Sequence, residues 1–232
     1  MPQFRNKILS HLDAEIIDRL ALRPVELARD REIEAPGQTI DNLFFLETGI
    51  GSMTATFLDG SQVEVGMFGY ESVMGASALI GTKRSLNKVY MQLGGHGHAC
   101  RTSVAQREFL RFERFHDLTL RYVQAQVVQA SQTAGCNAKH EADQRSARWL
   151  LLCNDRVESE ILPLTHEFLA DMLGTSRPTI SQAAQMLQER GLIEYSRGTV
   201  RLLDLDGLEQ LSCECYRVVK NHLDSYTEID QS

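Results

Sequence analysis

The sequence predicts an α+β chain: an amino-terminal β-barrel of jelly-roll type, a long central helix, and a carboxy-terminal winged helix-turn-helix. Three observations carry that reading. Short alternating strands separated by glycine turns run from about residue 25 to residue 107. A broad apolar stripe follows in a helical pattern. Residues 164–203, LTHEFLADMLGTSRPTISQAAQMLQERGLIEYSRGTVRLL, then read as helix, tight turn, helix and a short two-stranded wing.

Residues 1–20 read as one or two short amphipathic helices with Ile8, Leu9, Leu12, Ile16, Ile17 and Leu20 on the apolar side. The opening MPQFRNKILSHLDAEII has neither the apolar core nor the cleavage site of a signal peptide. The segments ELARDREI, NLFFLETG, GSMTATFLDG, QVEVGMFG and NKVYMQLGG are strands of a sandwich or barrel. Asp59-Gly60, between TATFL and SQVEVG, marks a hairpin. The rhythm is interrupted by EVGMFGYESVMGASALIGTKRS, where a short helix is expected near 72–79. His96, His98 and Cys100 recur every second residue, so a strand places them on one face. No carboxylate follows at a useful spacing, and the set reads as an ordinary strand rather than a metal or haem site.

From Glu108 onward the pattern is helical. Phe115, Leu118, Leu120, Tyr122, Val123, Val127 and Val128 form a stripe wide enough to need partners on more than one side. KHEADQRSARWLLLCNDRV is a second amphipathic helix, with Ala147, Trp149, Leu150 and Leu151 inward. Lys139, His140, Arg145 and Arg148 give it a basic side; Arg145 and Arg148 are read as a solvated face, with contact to phosphate the alternative. Residues 154–163 read as a linker. In the helix-turn-helix, Leu169, Met172 and Leu173 are apolar, Gly174 supplies the turn, and Ser176 is an N-cap with Pro178 in the first turn behind it. Ile180, Ala183, Ala184 and Leu187 face inward. Arg177, Thr179, Ser181, Gln182 and Gln185 face outward, side chains suited to phosphates and base edges. Arg197-Gly198 is the basic tip of the wing. Leu208, Leu211, Cys215, Val218, Val219 and Leu223 describe one final helix, and the polar tail TEIDQS frays. In Cys213-Glu214-Cys215 the cysteines stand closer than in an ordinary zinc half-site, so Cys215 is read as core and Cys213 as neutral.

Composition sets limits. The chain has 232 residues, room for two domains, with a formal net charge of −7 and 43% hydrophobic residues. No apolar run is long enough to span a bilayer. The five cysteines are odd in number and scattered, which argues against disulfides. The acidic balance argues mildly against nucleic acid as a partner. The acids, however, concentrate elsewhere, for example at Asp30, Glu32, Glu34, Asp41 and Glu47.

The helix-turn-helix is similar to the DNA-binding domain of the Crp–Fnr family, whose signature places Gly, Ser and Arg as Gly174, Ser176 and Arg177 stand here. Pro36-Gly37, Gly49, Asp59-Gly60, Gly66, Gly69 and Gly75 resemble the turn glycines of that family's cyclic-nucleotide-binding-like barrel. The resemblance implies a sensor domain over 1–114, a dimerisation helix over 115–137 and a DNA-binding domain over 138–232. It implies a cytoplasmic homodimeric transcription regulator, without a membrane segment, that reads a pseudo-palindromic site in double-stranded DNA. RNA polymerase is then a partner, and a small-molecule effector occupies the barrel.

Arg177 is expected to donate to guanine, with Ser176 and Thr179 on phosphate. Thr165, His166 and Arg197 add backbone contacts, and Ser181, Gln182 and Gln185 face the bases. Where family members carry a Glu and an Arg, this chain has Pro178 and Gln182, so a different half-site is expected, with Gln182 favouring adenine. The pocket departs too. The family's Gly-Glu-Leu turn becomes Gly69-Tyr70-Glu71-Ser72, and its Arg-Ser pair falls at Asn87-Lys88-Val89 rather than at Arg84-Ser85 in the preceding loop. Glu71, Ser72, Asn87 and Lys88 are the effector candidates, and a lysine lacks the fork of an arginine. These departures weigh against a cyclic nucleotide. The lack of an amino-terminal cysteine cluster weighs against the iron–sulfur cluster of one family branch. The competing class is a ligand- or metal-binding barrel, enzymatic or not, whose helix-turn-helix contacts protein. No acid–base pair, nucleophile triad or full metal set is present, so no catalytic or metal residues are assigned.

Overall fold

The computed structural model describes residues 3–81, 83–157 and 159–228. It divides into two compact units: residues 1–53, 66–128 and 221–232 form one, and residues 54–65 with 129–220 form the other.

The first unit opens with α1 (Lys7–Ser10) and α2 (Ala14–Leu20). Strands β1 (Arg23–Leu27), β2 (Glu32–Glu34), β3 (Asn42–Leu46), β4 (Ile50–Thr56), β5 (Gln62–Phe68) and β6 (Val73–Met74) follow. Then come α3 (Ser77–Ile80), β7 (Lys88–Leu93), β8 (Gly95–Arg101) and α4 (Thr102–Phe109). The strands make two four-stranded sheets, β1-β8-β3-β6 and β2-β7-β4-β5. They remain open sheets and do not close into the expected barrel. Two of the edge strands, β2 and β6, are three and two residues long, too short to carry a hydrogen-bonded seam. Packing between the sheets is tight: a Cβ on Gly51 of β4 would stand 3.0 Å from Met74 Sδ of β6. The expected helix near 72–79 is reduced to α3. Residues 73–74 extend instead because β6 pairs with Phe44 and Phe45 of β3.

Buried polar groups tie the periphery of this unit. Asn6 caps α1 and donates to Leu46 O and Ser72 O at 3.1 and 2.9 Å. Arg19 grips buried Glu108 with two hydrogen bonds of 2.8 and 2.7 Å. Within the described residues, 226 and 227 do not fray. Tyr226 is buried, and its hydroxyl donates to Glu71 O at 2.6 Å, and Thr227 is buried as well. The rest of the expected fraying, over 229–232, lies outside the described residues.

The long helix α5 (Arg114–Lys139) has its residues up to 128 in the first unit and those from 129 in the second. It buries Phe115, Leu118, Tyr122, Ala125 and Cys136, while Leu120 and Val127, both expected in the apolar stripe, are 42% and 60% exposed.

In the second unit, α6 (Ala142–Val157) leads through β9 (Ile161–Leu162) to α7 (His166–Leu173) and α8 (Arg177–Glu189). Next come β10 (Ile193–Ser196) and β11 (Thr199–Leu202), then α9 (Leu205–Leu211) and α10 (Cys215–Ser225). Three sequence expectations change here. The stretch read as a linker is partly helix and partly strand: α6 continues to Val157, and β9 pairs with β11 so that the wing has three strands, β10-β11-β9. The single final helix is two, broken at 212–214. Finally, Arg145 and Arg148 are not solvated; they are 8% and 3% exposed because α6 is covered on more than its apolar side. Arg145 Nη2 donates to Leu173 O, the carbonyl at the end of α7. Residues 54–65, the end of the β4–β5 hairpin, are part of this unit, where Glu64 accepts a 2.9 Å bond from buried Trp149 Nε1.

Candidate nucleic-acid interface and ligand pocket

The turn between α7 and α8 is built from local chemistry. Thr165 caps α7 by accepting from Phe168 N at 3.1 Å. Gly174 ends the helix at φ +59°, in the left-handed region, and Thr175 N reaches back to Ala170 O at 3.0 Å. A Cβ there would lie 2.9 Å from Val63 Cγ2, so a larger residue must displace that side chain as well as strain the backbone. Ser176 caps α8: its Oγ accepts from Thr179 N at 3.3 Å and lies 2.7 Å from Thr179 Oγ1.

This cap limits what the helix end can offer an anion. Pro178 has no N–H, and that of Thr179 is taken, so only the Arg177 N–H is left among the first three positions. No acid stands in the first turn. The Ser176–Thr179 hydroxyl pair shares one internal bond, leaving one hydroxyl hydrogen for an outside acceptor.

Beyond the cap, Ile180, Ala183, Ala184 and Leu187 are buried, so one side of α8 is fixed against the unit. Ser176, Arg177, Pro178, Gln182 and Gln185 are exposed, and Thr179 and Ser181 are half-buried. Gln185 is held by Glu189, its Nε2 donating at 2.8 Å. His166 joins three elements: its Nδ1 lies 3.0 Å from Ser181 Oγ, and its ring sits 4.1 Å from that of Tyr195 on the wing. Burial, reinforced by the positive Arg177, lowers the His166 pKa below its ordinary value. Gln188 accepts from Tyr195 N at 3.0 Å and fastens the wing to α8. The wing turns on Arg197 and Gly198 at φ +47° and +77°, the two positive φ values of a type I′ hairpin. Arg197 is exposed at the tip.

The nine DNA candidates therefore lie on one helix-turn-helix and its wing. Thr165, His166 and Ser181 meet near the wing, and Ser176, Arg177 and Thr179 sit at the head of α8. Sequence reasoning passed over Tyr195 and Gln188, whose positioning role follows only from the wing folding back on α8.

The four effector candidates do not converge. Glu71 and Ser72 are buried and bonded to each other at 3.0 Å, whereas Lys88 lies over the Tyr90 ring, its Nζ 5.5 Å from the centroid. Only Asn87 lines the cavity of about 130 Å³ found in the first unit. Its other walls include Met53, Phe68, Val89, Ile80 and Gly75, and from α5 Tyr122, Val123 and Gln126. One carboxylate lies in that wall, and it is Glu34, noted in the sequence only as one of the acids concentrated away from the helix-turn-helix. It accepts from Gly75 N at 2.9 Å and from Ser85 Oγ at 2.7 Å, and burial raises its pKa. Arg84 points away, donating to Gly37 O at 2.8 Å. His96, His98 and Cys100 each take separate partners: Thr48 Oγ1 at 2.9 Å, Glu47 Oε1 at 3.4 Å and Leu20 O at 3.0 Å. Among the described residues no helix is long and apolar enough to cross a membrane.

Residues 144–211 match the family model of the Crp-like helix-turn-helix domain. Among solved structures, the chain is similar to a protein from Eubacterium rectale described as a transcriptional regulator of the crp/fnr family. The two share 16% identity over 89% of this chain and 98% of the other, at a TM-score of 0.71. It is also similar to FixK2 from Bradyrhizobium japonicum (14% identity, 83% and 98% covered, TM-score 0.70). A CRP-family transcriptional regulator from Thermus thermophilus gives 23% identity, 81% and 96% coverage, and a TM-score of 0.67. At these identities the likeness establishes the fold. No curated protein sequence matches the chain.

Proposed function

We propose, for a chain that carries a Crp-like helix-turn-helix domain and has the fold of the Crp/Fnr regulators, that it acts as a homodimeric, sequence-specific DNA-binding transcription regulator. The observation that carries the reading is the exposed face of α8, with Arg177, Gln182 and Gln185 turned outward from a helix whose other side is buried. Such a helix enters the major groove with its amino-terminal residues on base edges. Arg177 donates to guanine O6 and N7, and Gln182 to adenine, with Ser181 and Gln185 alongside. Ser176, Thr179, Thr165, neutral His166 and Arg197 hold phosphates on either side.

Dimerisation is supported by α5. Leu120, Gln124, Val127, Ser131 and Ala134 are all exposed and alternate at spacings of four and three, the 3.5-residue period of a coiled-coil seam. Residues 115–137 are thus assigned to the dimer helix, 1–114 to sensing and 138–232 to DNA. Two recognition helices then read half-sites about 34–36 Å apart on one face of the duplex, where RNA polymerase can meet the bound dimer.

The cavity beside α5 is the place for an effector. Its walls are largely apolar and its carboxylate, Glu34, opposes an anionic ligand, which favours a small neutral or cationic molecule over a cyclic nucleotide. Tyr122, Val123 and Gln126 make the dimer helix part of the cavity wall, so a ligand there acts on the seam directly.

Selection from a random double-stranded DNA library by the purified full chain tests the reading. A two-fold sequence with half-sites one helical turn apart is expected. Enrichment of no palindrome at moderate salt would reject it.

A further inference from the structure

Three cysteines that DNA binding leaves unused converge with a histidine in the second unit. Cys136 lies in the last turn of α5, and His140 directly follows that helix. Cys213 sits in the break between α9 and α10, and Cys215 opens α10. One ligand atom from each of the four lies within 4.8 Å of all the others. Cys136 Sγ is 3.5 Å from Cys213 Sγ, and Cys215 Sγ is 3.5 Å from His140 Nδ1.

These separations are those of ligands around one ion. With Zn–S bonds of about 2.3 Å and Zn–N bonds of about 2.0 Å, the edges of a tetrahedron measure about 3.5–3.8 Å. The two 3.5 Å pairs already match those edges, and since all four atoms lie within 4.8 Å of one another, the widest pair has at most about 1 Å to close. An iron–sulfur cluster distributes its cysteines over different irons and needs a wider cage.

The surroundings are arranged for the same purpose. Gln132 Nε2 donates to Cys215 Sγ at 3.1 Å. His140 turns Nδ1 to the sulfurs and Nε2 toward Glu214 Oε2 at 3.4 Å, the carboxylate–histidine pairing that fixes the ring of a metal ligand. Arg145 and Arg148 are buried, and among the described residues they meet a carbonyl and a hydroxyl, with no carboxylate within ion-pair distance. Both act electrostatically on Cys136, and Arg145 also on Cys213. Buried cations need a counter-charge. A divalent ion held by three thiolates and a neutral imidazole carries a net charge of −1, which offsets one of the two.

We propose that Cys136, His140, Cys213 and Cys215 form a structural zinc site that clips the end of α5 to the α9–α10 corner. All four positions are filled by protein, which leaves no open coordination place for catalysis, and three thiolates with one imidazole select Zn²⁺ over harder ions. The Cys213-x-Cys215 pair, too short to be an ordinary half-site, is completed by Cys136 in the last turn of α5 and His140 just beyond it.

Metal analysis of the full chain purified under reducing conditions tests the site, together with titration of Co²⁺ into chelator-treated wild-type protein. One zinc ion per chain is expected, and Co²⁺ should show the visible bands of a tetrahedral ion with thiolate charge transfer, saturating at one equivalent. Cys136→Ser and Cys213→Ser should lose the metal while Cys100→Ser keeps it, and Glu214→Gln should weaken zinc about 10–100-fold. Because the wild-type Co²⁺ spectrum needs no variant, a misfolded mutant leaves the test intact. The proposal is overturned by substoichiometric metal that Cys136→Ser retains, by bound iron with a cluster chromophore, or by a Cys136–Cys213 disulfide in the reduced preparation.

Discussion

Arg177 stands at the first helical position of α8, exposed, behind a serine cap that has already consumed the neighbouring N–H. Its charge is therefore the main anion- or guanine-seeking group at that helix end. Arg177→Ala should cost about 1–3 kcal/mol of DNA affinity and relax a single base position in a selection experiment. A uniform loss over all sequences would mark it as a phosphate contact instead. His166 behaves differently. Its pKa is lowered from 6.5 in the folded protein, so the unfolded chain takes up a proton more readily. Its contribution to stability is full above pH 6.5 and shrinks as the pH falls through that value toward the folded pKa. Melting temperatures measured over about pH 5–8 should fall faster on the acid side for wild type than for His166→Gln, and parallel curves would remove His166 from the account.

Among the elements, α5 serves two surfaces at once. Its buried side is set by Phe115, Leu118, Tyr122 and Ala125, and its exposed side by Leu120 and Val127. The apolar stripe was legible in the sequence, but residues on both sides of the helix were merged into it. Periodicity shows that a helix has apolar faces without saying which of them its own chain covers. Val127→Glu puts like charges opposite one another in the proposed seam while leaving the buried side alone. Sedimentation should then show a monomer, and palindrome binding should drop to that of a single half-site with the melting temperature little changed. A dimer that survives this substitution would place the interface elsewhere. The wing was read correctly from Arg197-Gly198 because a type I′ turn is a local signal. Its third strand was not, since Ile161 and Leu162 pair with residues about forty positions away.

For the molecule as a whole, the net charge of −7 has a consequence for DNA binding. Serine, threonine and neutral histidine contacts release no counterions, so few cations per protomer contribute to the salt dependence. With Arg197 the one cation set on phosphate in each protomer, the dimer neutralises about two phosphates, and the slope of log K against log salt should be no steeper than about −2. A much steeper slope, read by fluorescence anisotropy across a salt series, would mean that other basic residues reach the duplex. Helices, caps, hairpin turns and the outward face of α8 all follow from neighbours within a few positions, where spacing and turn chemistry leave little choice. The open sheets, the burial of Arg145 and Arg148, Glu34 in the cavity wall and the Cys136–His140–Cys213–Cys215 cluster join residues far apart in the chain. No periodicity encodes such meetings, because the energy that fixes them, burial and the pairing of buried polar groups, exists only once the elements have packed.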